Sequence, residues 1–283
     1  MHPEITVERR DEQGVRSEIH FQRAEPRLRP LISRPYAGYS ISTQGASRRR
    51  HPPTGIVPMI ILLGDELGVP EEHGGTAVPR RSFIAGLHDS YATTVSEGDQ
   101  VGMQIDFTPI GAYLFLQRPM SELANRSVEL EDIFGKQANE LRERLIAKES
   151  WQGRFAIAEA FIAERISHAR PASPAVAWAW GRLQASTGSV GIGQLAAEIG
   201  WSRKHLIAQF REQIGMAPKT LARVLRFKQA LETIESGAEL HWSEMAVRCG
   251  YYDQAHFIRD FREFTGVTPG EYLTRRLPDG LED

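Results

Sequence analysis

The feature that most constrains this chain is an internal repeat close to its C-terminal end. The stretch LAAEIGWSRKHLIAQFREQIGMAPKTL, beginning at Leu195, recurs as MAVRCGYYDQAHFIRDFREFTGVTPGEYL, beginning at Met245. Ala196 and Gly200 match Ala246 and Gly250 at an offset of 50. After one inserted residue, Leu206, Phe210-Arg211-Glu212, Gly215 and Pro218 match Phe257, Phe261-Arg262-Glu263, Gly266 and Pro269 at 51. A solenoid needs about three or more copies, so two read as a duplicated small module.

The local chemistry of the first copy is legible. Ile192, Leu195, Ala196 and Ile199 fall at i, i+3, i+4 and i+7, which predicts a short helix with one apolar face. Gly200 stops it, because the residue beyond a helix end usually adopts the left-handed conformation. Ser202 is placed to cap the next helix. That helix turns Leu206 and Phe210 toward a core and ends at Gly215, with Pro218 opening its successor. The second copy follows with Met245 and Ala246, Gly250, Asp253 as the cap, Phe257 and Phe261, Gly266 and Pro269. A short helix, a glycine-centred turn and a second amphipathic helix make a helix-turn-helix, here present twice in register. Between the copies, Lys219 to Ser236 reads as one helix, with Leu221, Val224, Leu225, Leu231 and Ile234 at 3–4 spacing and Gly237 at its stop. Its eighteen or so residues make a rod of roughly 27 Å, able to hold two such helices near one turn of B-DNA apart, ~34 Å.

These residues resemble the AraC/XylS family of transcriptional regulators. The match in the second unit is carried by Ala246, Gly250-Tyr251, His256-Phe257, Arg259, Phe261-Arg262, Gly266, Thr268-Pro269 and Tyr272. The first unit matches through Leu195-Ala196, Gly200, Ser202, Leu206, Phe210 and Gly215, and the connecting helix through Arg226 and Ala230. The resemblance covers about residues 178–277 and implies double-stranded DNA as the partner. On each second helix the apolar anchors fix the buried face. The opposite faces carry Arg203, Lys204, Ala208 and Arg211, flanked by His205 and Ile207, and then Gln254, Ala255, Arg259 and Arg262, flanked by His256. Arg suits guanine edges and Gln adenine, while other basic residues grip phosphates. The resemblance places base readers near Lys204, Ile207, Ala208, Gln254, Ala255, His256 and Arg259. Ala208 stands where the family commonly has Arg, which makes the second unit the stronger reader. Trp201, Trp242 and Tyr251 are read as packing residues and His241 as a helix start.

Charge permits this reading without carrying it. The chain has a net charge of −2; Arg182 to Leu277 hold 13 Lys and Arg against 10 Asp and Glu, a thin basic footprint. The acidic tail 278–283 adds Asp279, Glu282 and Asp283. No apolar run approaches the ~20 residues of a membrane span, and the polar first ten residues lack a signal peptide's apolar segment, so the expected compartment is the cytoplasm. The one cysteine, Cys249, is read as a small buried residue.

Ahead of the repeat, short extended segments at Glu18 to Gln22, Tyr36 to Ser42, Ile56 to Leu62, Ser82 to Leu87, Tyr91 to Val95 and Val101 to Phe107 alternate with Gly- and Pro-rich turns. From Pro109 the pattern turns helical: Ile133, Leu141 and Leu145 mark one helix, which serves dimerisation or an internal bundle. Phe155, Ala158, Phe161, Ile162 and Ile166 mark another, and Val176 to Leu183 a third. The fold class expected is α+β: a small cupin-like β-barrel to about 107, helices from 109 to 168, a joint at 169–174, and an all-α domain of two helix-turn-helix units with a linker helix at 175–277. Such a barrel followed by helices resembles the effector domains of the same family, and implies a sensing or dimerisation domain over 1–168. His51, His73 and His88 stand singly, without the HxH spacing of a metal-binding cupin, and no phosphate loop or nucleophile elbow is present, so neither catalysis, a metal nor a cofactor is expected. Arg48-Arg49-Arg50 is read as a solvated loop, with phosphate contact as the alternative. The expected function is a sequence-specific DNA-binding regulator controlled by a small-molecule effector, the effector-binding residues being unassigned. The alternative is a constitutive DNA binder whose N-terminal domain is a protein-interaction or dimerisation module. RNA polymerase and a second copy of the chain are the further partners left open.

Overall fold

Strand-forming alternation dominates the first 107 residues, where ten strands form among the described residues. They are β1 (Ile5–Glu12), β2 (Val15–Gln22), β3 (Tyr36–Thr43), β4 (Ser47–His51), β5 (Val57–Leu62), β6 (Leu67–Pro70), β7 (Ala77–Arg80), β8 (Ser82–Ala85), β9 (Ala92–Ser96) and β10 (Gln100–Phe107). Helices then take over: α1 (Pro109–Leu116), a 3-10 turn (Met120–Glu122), a strand β11 (Ser127–Glu129), α2 (Leu130–Phe134), α3 (Lys136–Ile146) and α4 (Trp151–Ser167). The repeat region forms α5 (Pro174–Ala185), α6 (Ile192–Glu198), α7 (Arg203–Gln213), α8 (Pro218–Glu235), α9 (Trp242–Arg248), α10 (Gln254–Thr265) and α11 (Pro269–Arg275), followed by β12 (Arg276–Leu277) and β13 (Gly280–Glu282). This computed structural model describes residues 4–12, 15–43, 45–72, 74–237, 241–277 and 280–282; His73 lies outside them.

The class is α+β, as expected, but the sheets do not close into a barrel. One sheet has the order β1-β2-β3-β10-β5-β8-β11 and the other β12-β13-β4-β9-β6-β7, with no strand pairing between them among the described residues. Register assigns the faces of the larger sheet, since side chains alternate along each strand. His20, Gly38, Met103 and Ile61 lie in one cross-strand row. That face is covered by helices: Trp151 of α4 lies across Gly38 and its ring sits 5.6 Å from that of His20. Phe107 stacks on Phe115 of α1 at 4.9 Å. The opposite face carries the rows Ile19, Tyr39, Gly102, Leu62 and Phe21, Ala37, Gln104, Ile60, Phe83.

Two other expectations are corrected. Arg48 to Arg50 do not form a loop: they lie in β4, between β9 and β13, where β-sheet pairing overrides the solvation suggested by three charges in a row. The helix expected over Glu131 to Leu145 is two, because Gly135 at φ +57° breaks it between α2 and α3. Ala138, Leu141 and Leu145 of α3 are buried within the chain's own core, so that face packs internally.

The apolar interior divides unevenly. One cluster runs without interruption from the larger sheet (Tyr36, Met59, Phe107) through α1 to α5 and into Leu195, Leu206, Phe210, Ile214, Leu221 and Leu225. The other belongs to the second repeat copy: Val224, Phe227, Leu231 and Ile234 of α8 with Met245, Phe257, Phe261, Phe264 and Tyr272. Helix α8 thus gives its first turns to one core and the rest to the other. Each fully buried Phe or Leu contributes about 1.5–3 kcal/mol relative to exposure, so both joints are substantial.

Candidate nucleic-acid interface

In the first unit, α6 ends at a turn where Gly200 adopts φ +72°, a left-handed value that costs glycine nothing. Ser202 then caps α7 by accepting the His205 N–H at 3.2 Å. With Leu206 and Phe210 fully buried, Arg203, Lys204, Ala208 and Arg211 face solvent and Ile207 is half-buried at the flank. Arg203 is drawn back from this face: its guanidinium lies where a side chain on Gly193 of α6 would be. Trp201 packs edge-on to His205 at 4.4 Å.

The second unit repeats the construction. Gly250 takes φ +74°, and Asp253 Oδ1 accepts the His256 N–H at 2.7 Å to start α10. Phe257 and Phe261 are fully buried; Gln254, Ala255, Arg259 and Arg262 are exposed. Ala255, Ile258, Arg259, Arg262 and Glu263 line a shallow hollow along this face. His256 departs from the expected aim. Half-buried, it turns its ring toward Tyr251, 5.3 Å away, and brings Nε2 to 3.8 Å from Asp260 on the inner flank. Tyr251 is buried and Trp242 packs against Phe257 at 6.2 Å, both as packing residues, while Tyr252 beside them is 91% exposed in the turn. His241 precedes α9 as its N-cap residue, and Cys249 is buried against Met245.

What holds α10 in place was not readable from the sequence. Arg223 of α8 donates to both oxygens of Asp260, at 2.8 and 3.3 Å, and to Glu263 at 2.6 Å, with its guanidinium 5.1 Å over the Phe264 ring. Those two carboxylates raise the Arg223 pKa still further, Asp260 being the stronger influence, against the lowering effect of burial. Arg226, the next turn of α8, donates to the Gly188 carbonyl ahead of the first unit at 2.9 Å and faces the Tyr251 ring of the second. One helix therefore braces both units through two arginines. Nothing in the spacing of Arg223 and Asp260 announces their pairing, because they sit on different helices.

The first unit is also joined to the N-terminal domain. Gly215, beyond the end of α7, packs so closely on the 3-10 turn that a Cβ there would lie 3.2 Å from the Met120 carbonyl oxygen. Gln213 of α7 accepts the Ser173 N–H at 2.8 Å. Elsewhere, His51 bonds Thr94 at 2.9 Å and His88 bonds the Gly86 carbonyl at 2.8 Å, each as a separate structural histidine.

Comparison with known proteins bears on this geometry. The family described as "Helix-turn-helix domain", of the AraC type, matches residues 195–275, and "Domain of unknown function (DUF6597)" matches residues 21–129. No curated protein matches the chain. Among solved structures, the chain is similar to the C-terminal domain of AraT, a response regulator from Geobacillus stearothermophilus, at 26% identity and TM-score 0.36, covering 38% of this chain and 90% of that one. It is similar to ToxT from Vibrio cholerae at 12% identity and TM-score 0.48, covering 84% and 97%. An AraC-type regulator from Chromobacterium violaceum gives 22% identity and TM-score 0.34 over 38% and 96%. No helix of the described residues is long and apolar enough to cross a membrane. With two capped helix-turn-helix units braced by one linker helix, and an AraC-type helix-turn-helix family matching both over residues 195–275, the chain carries the DNA-binding domain of a transcription regulator.

Proposed function

We propose that this regulator reads double-stranded DNA with two unequal units and answers to a small molecule held by the N-terminal domain. In the reading surface, Lys204, Ile207, Ala208, Gln254, Ala255 and Arg259 meet base edges, His256 touches them from the flank, and Arg203, Arg211 and Arg262 grip phosphates. The second unit carries more of the discrimination, since Gln254 and Arg259 have the donor geometry for adenine and guanine while Ala208 offers only a methyl contact.

The observation that carries the effector reading is the continuous core between the N-terminal domain and the first unit. Close-packed interiors transmit small shifts without absorbing them, so a change among the sheet residues reaches α7 through α1 and Met120. A site for such a change is available on the sheet face away from the helices. There Ile19, Phe21, Ala37, Tyr39, Ile60 and Gln104 are only half-buried. Gln104 donates to the buried Asp106 carboxylate at 2.8 Å. An apolar molecule with one polar group suits that surface.

Control of this kind requires two sites with coupled affinities. The test is a thermal-shift screen of the full chain against small apolar molecules bearing one hydroxyl, amide or carboxyl, followed by operator affinity with each binder. A binder whose effect on the chain is lost in Tyr39→Ala, and which alters operator affinity, supports the reading. If binders leave operator affinity unchanged, the chain is a constitutive DNA binder instead.

A further inference from the structure

The two copies of the repeat differ in length by one residue, and the structure shows where it lies. Gly200 and Gly250 close the first helix of each unit at φ +72° and +74°. Ser202 and Asp253 cap the recognition helices α7 and α10, each accepting the N–H of a histidine three residues on. Between glycine and cap the first unit has Trp201 alone, whereas the second has Tyr251 and Tyr252. Trp201 and Tyr251 are counterparts: Trp201 packs edge-on against His205 at 4.4 Å, and Tyr251 against His256 at 5.3 Å. Tyr251 is 4% exposed, edge-on to Phe257 and facing the Arg226 guanidinium. Tyr252 is therefore the inserted residue.

With Gly250, Tyr251 and Asp253 all engaged, the extra side chain is turned to solvent. Tyr252 is the most exposed of the large apolar and aromatic side chains described. The longer turn is taken up at the cap, where Asp253 is more extended (φ −153°, ψ 174°) than Ser202 (φ −69°, ψ 151°). A tyrosine so placed offers a broad contact area with only two side-chain torsions to fix, and its hydroxyl is among the groups that bond phosphate oxygens.

We propose that Tyr252 donates its hydroxyl to a backbone phosphate at the edge of the groove read by α10, as a further positioning residue of the second unit. It stands one residue ahead of the cap and leads into Gln254 and Ala255, the exposed residues with which α10 begins. A helix with its side chains is about 10–12 Å wide, and the major groove is about 12 Å wide. A helix that reads bases with its N-terminal residues thus fills the groove, and the residue just ahead of it lies against one of the two phosphate rows. Phosphate contacts fix register and orientation without reading sequence. The insertion gives the second unit an anchor that the first lacks, and it holds Gln254 and Arg259 in register over their bases.

The contact rests on the DNA-reading function, and the two fail separately. A duplex is selected from a random-sequence pool with the full-length chain. Its affinity and that of a scrambled duplex of equal length are then measured over a range of salt for the parent, Tyr252→Phe and Arg259→Ala. Tyr252→Phe keeps the ring, removes only the donor and leaves the thermal midpoint unchanged. It is expected to weaken both duplexes alike, on the order of ten-fold for a hydrogen bond to a charged acceptor. The salt slope stays as in the parent, because a neutral donor releases no counterion. Arg259→Ala weakens the selected duplex more than the scrambled one. Replacing each phosphate of the selected duplex in turn by methylphosphonate locates the contact: at one position beside the α10 block the replacement weakens the parent and leaves Tyr252→Phe unaffected. Equal affinity of the parent and Tyr252→Phe for both duplexes overturns the contact, while the Arg259→Ala loss keeps the DNA-reading function. Methylphosphonate losses shared by both chains at every position overturn the contact as well. A pool from which no duplex is enriched overturns the DNA-reading function, and the contact with it.

Discussion

Arg223 and Asp260, 37 residues apart in the chain, are joined by two hydrogen bonds that pin the second recognition helix to the linker helix. Asp260 is 4% exposed at its side chain and Arg223 26%. The pair sets how far α10 rolls about its own axis, and hence where Arg259, one residue before Asp260, points. Breaking a fully buried pair from one side costs about 3–5 kcal/mol. Arg223 keeps Glu263 and some solvent, so Asp260→Ala is expected to destabilise the second unit by about 2 kcal/mol. Thermal unfolding measures this, and Asp260→Asn, which keeps one acceptor oxygen for Arg223, should recover part of the loss.

The two reading faces differ, and single substitutions should expose the difference. Arg259→Ala is expected to weaken binding to the selected duplex by ~1–3 kcal/mol and to relax specificity at one position. Arg211→Ala, at a phosphate-facing position, should weaken all duplexes alike and reduce the salt slope by about one unit. Competition binding against mutated duplexes distinguishes these outcomes. Unchanged affinity for the Arg259 variant would remove that residue from the base readers.

Met120 is fully enclosed between the N-terminal domain and the Gly215 turn. Truncating a buried Met to Ala costs about 2–5 kcal/mol. Met120→Ala should therefore destabilise the sheet domain and the first unit together while leaving the second core intact. Hydrogen exchange should show faster opening at Leu206 and Phe210 and little change at Phe257 and Phe261.

Asp106 supplies a pH-dependent test. Burial lifts its carboxyl above the ordinary 3.8, more than Gln104 and Arg34 lower it. A raised acid favours the protonated form in the folded chain. Its contribution is therefore best below 3.8 and declines as pH rises from there through the higher folded value. Asp106→Asn, which still accepts from Gln104, should unfold at a higher temperature than the parent at neutral pH. The difference should vanish in acid below that window, and a parent that is the more stable at neutral pH would contradict it.

The repeat was legible because its punctuation is local. Gly200, Ser202, Gly250 and Asp253 act within one turn of their own backbone, and Leu206, Phe210, Phe257 and Phe261 declare a buried face by spacing alone. Five strands of the larger sheet, β2, β3, β5, β8 and β10, were read for the same reason, whereas β1 and β11 were not. The exceptions are long-range. β4 reads as a loop because three arginines signal solvent, and only its neighbours β9 and β13 make it a strand. The barrel stays open because closure depends on pairing between distant strands, not on any one strand's alternation. His256 was placed on the reading face by its helical position; its turn toward Asp260 depends on a carboxylate that Arg223 holds from another helix. Tertiary partners decide these cases, and the 3.6-residue period carries no trace of them.

The most direct measurement is selection of bound duplexes by the full-length chain from a random-sequence pool, at a stated salt concentration. Two blocks of preferred sequence, centred about one helical turn apart, are expected, the block read by α10 the more sharply defined and blurred specifically by Arg259→Ala. A pool that enriches no common sequence, or a single block unaffected by substitutions in α10, would contradict two-unit reading.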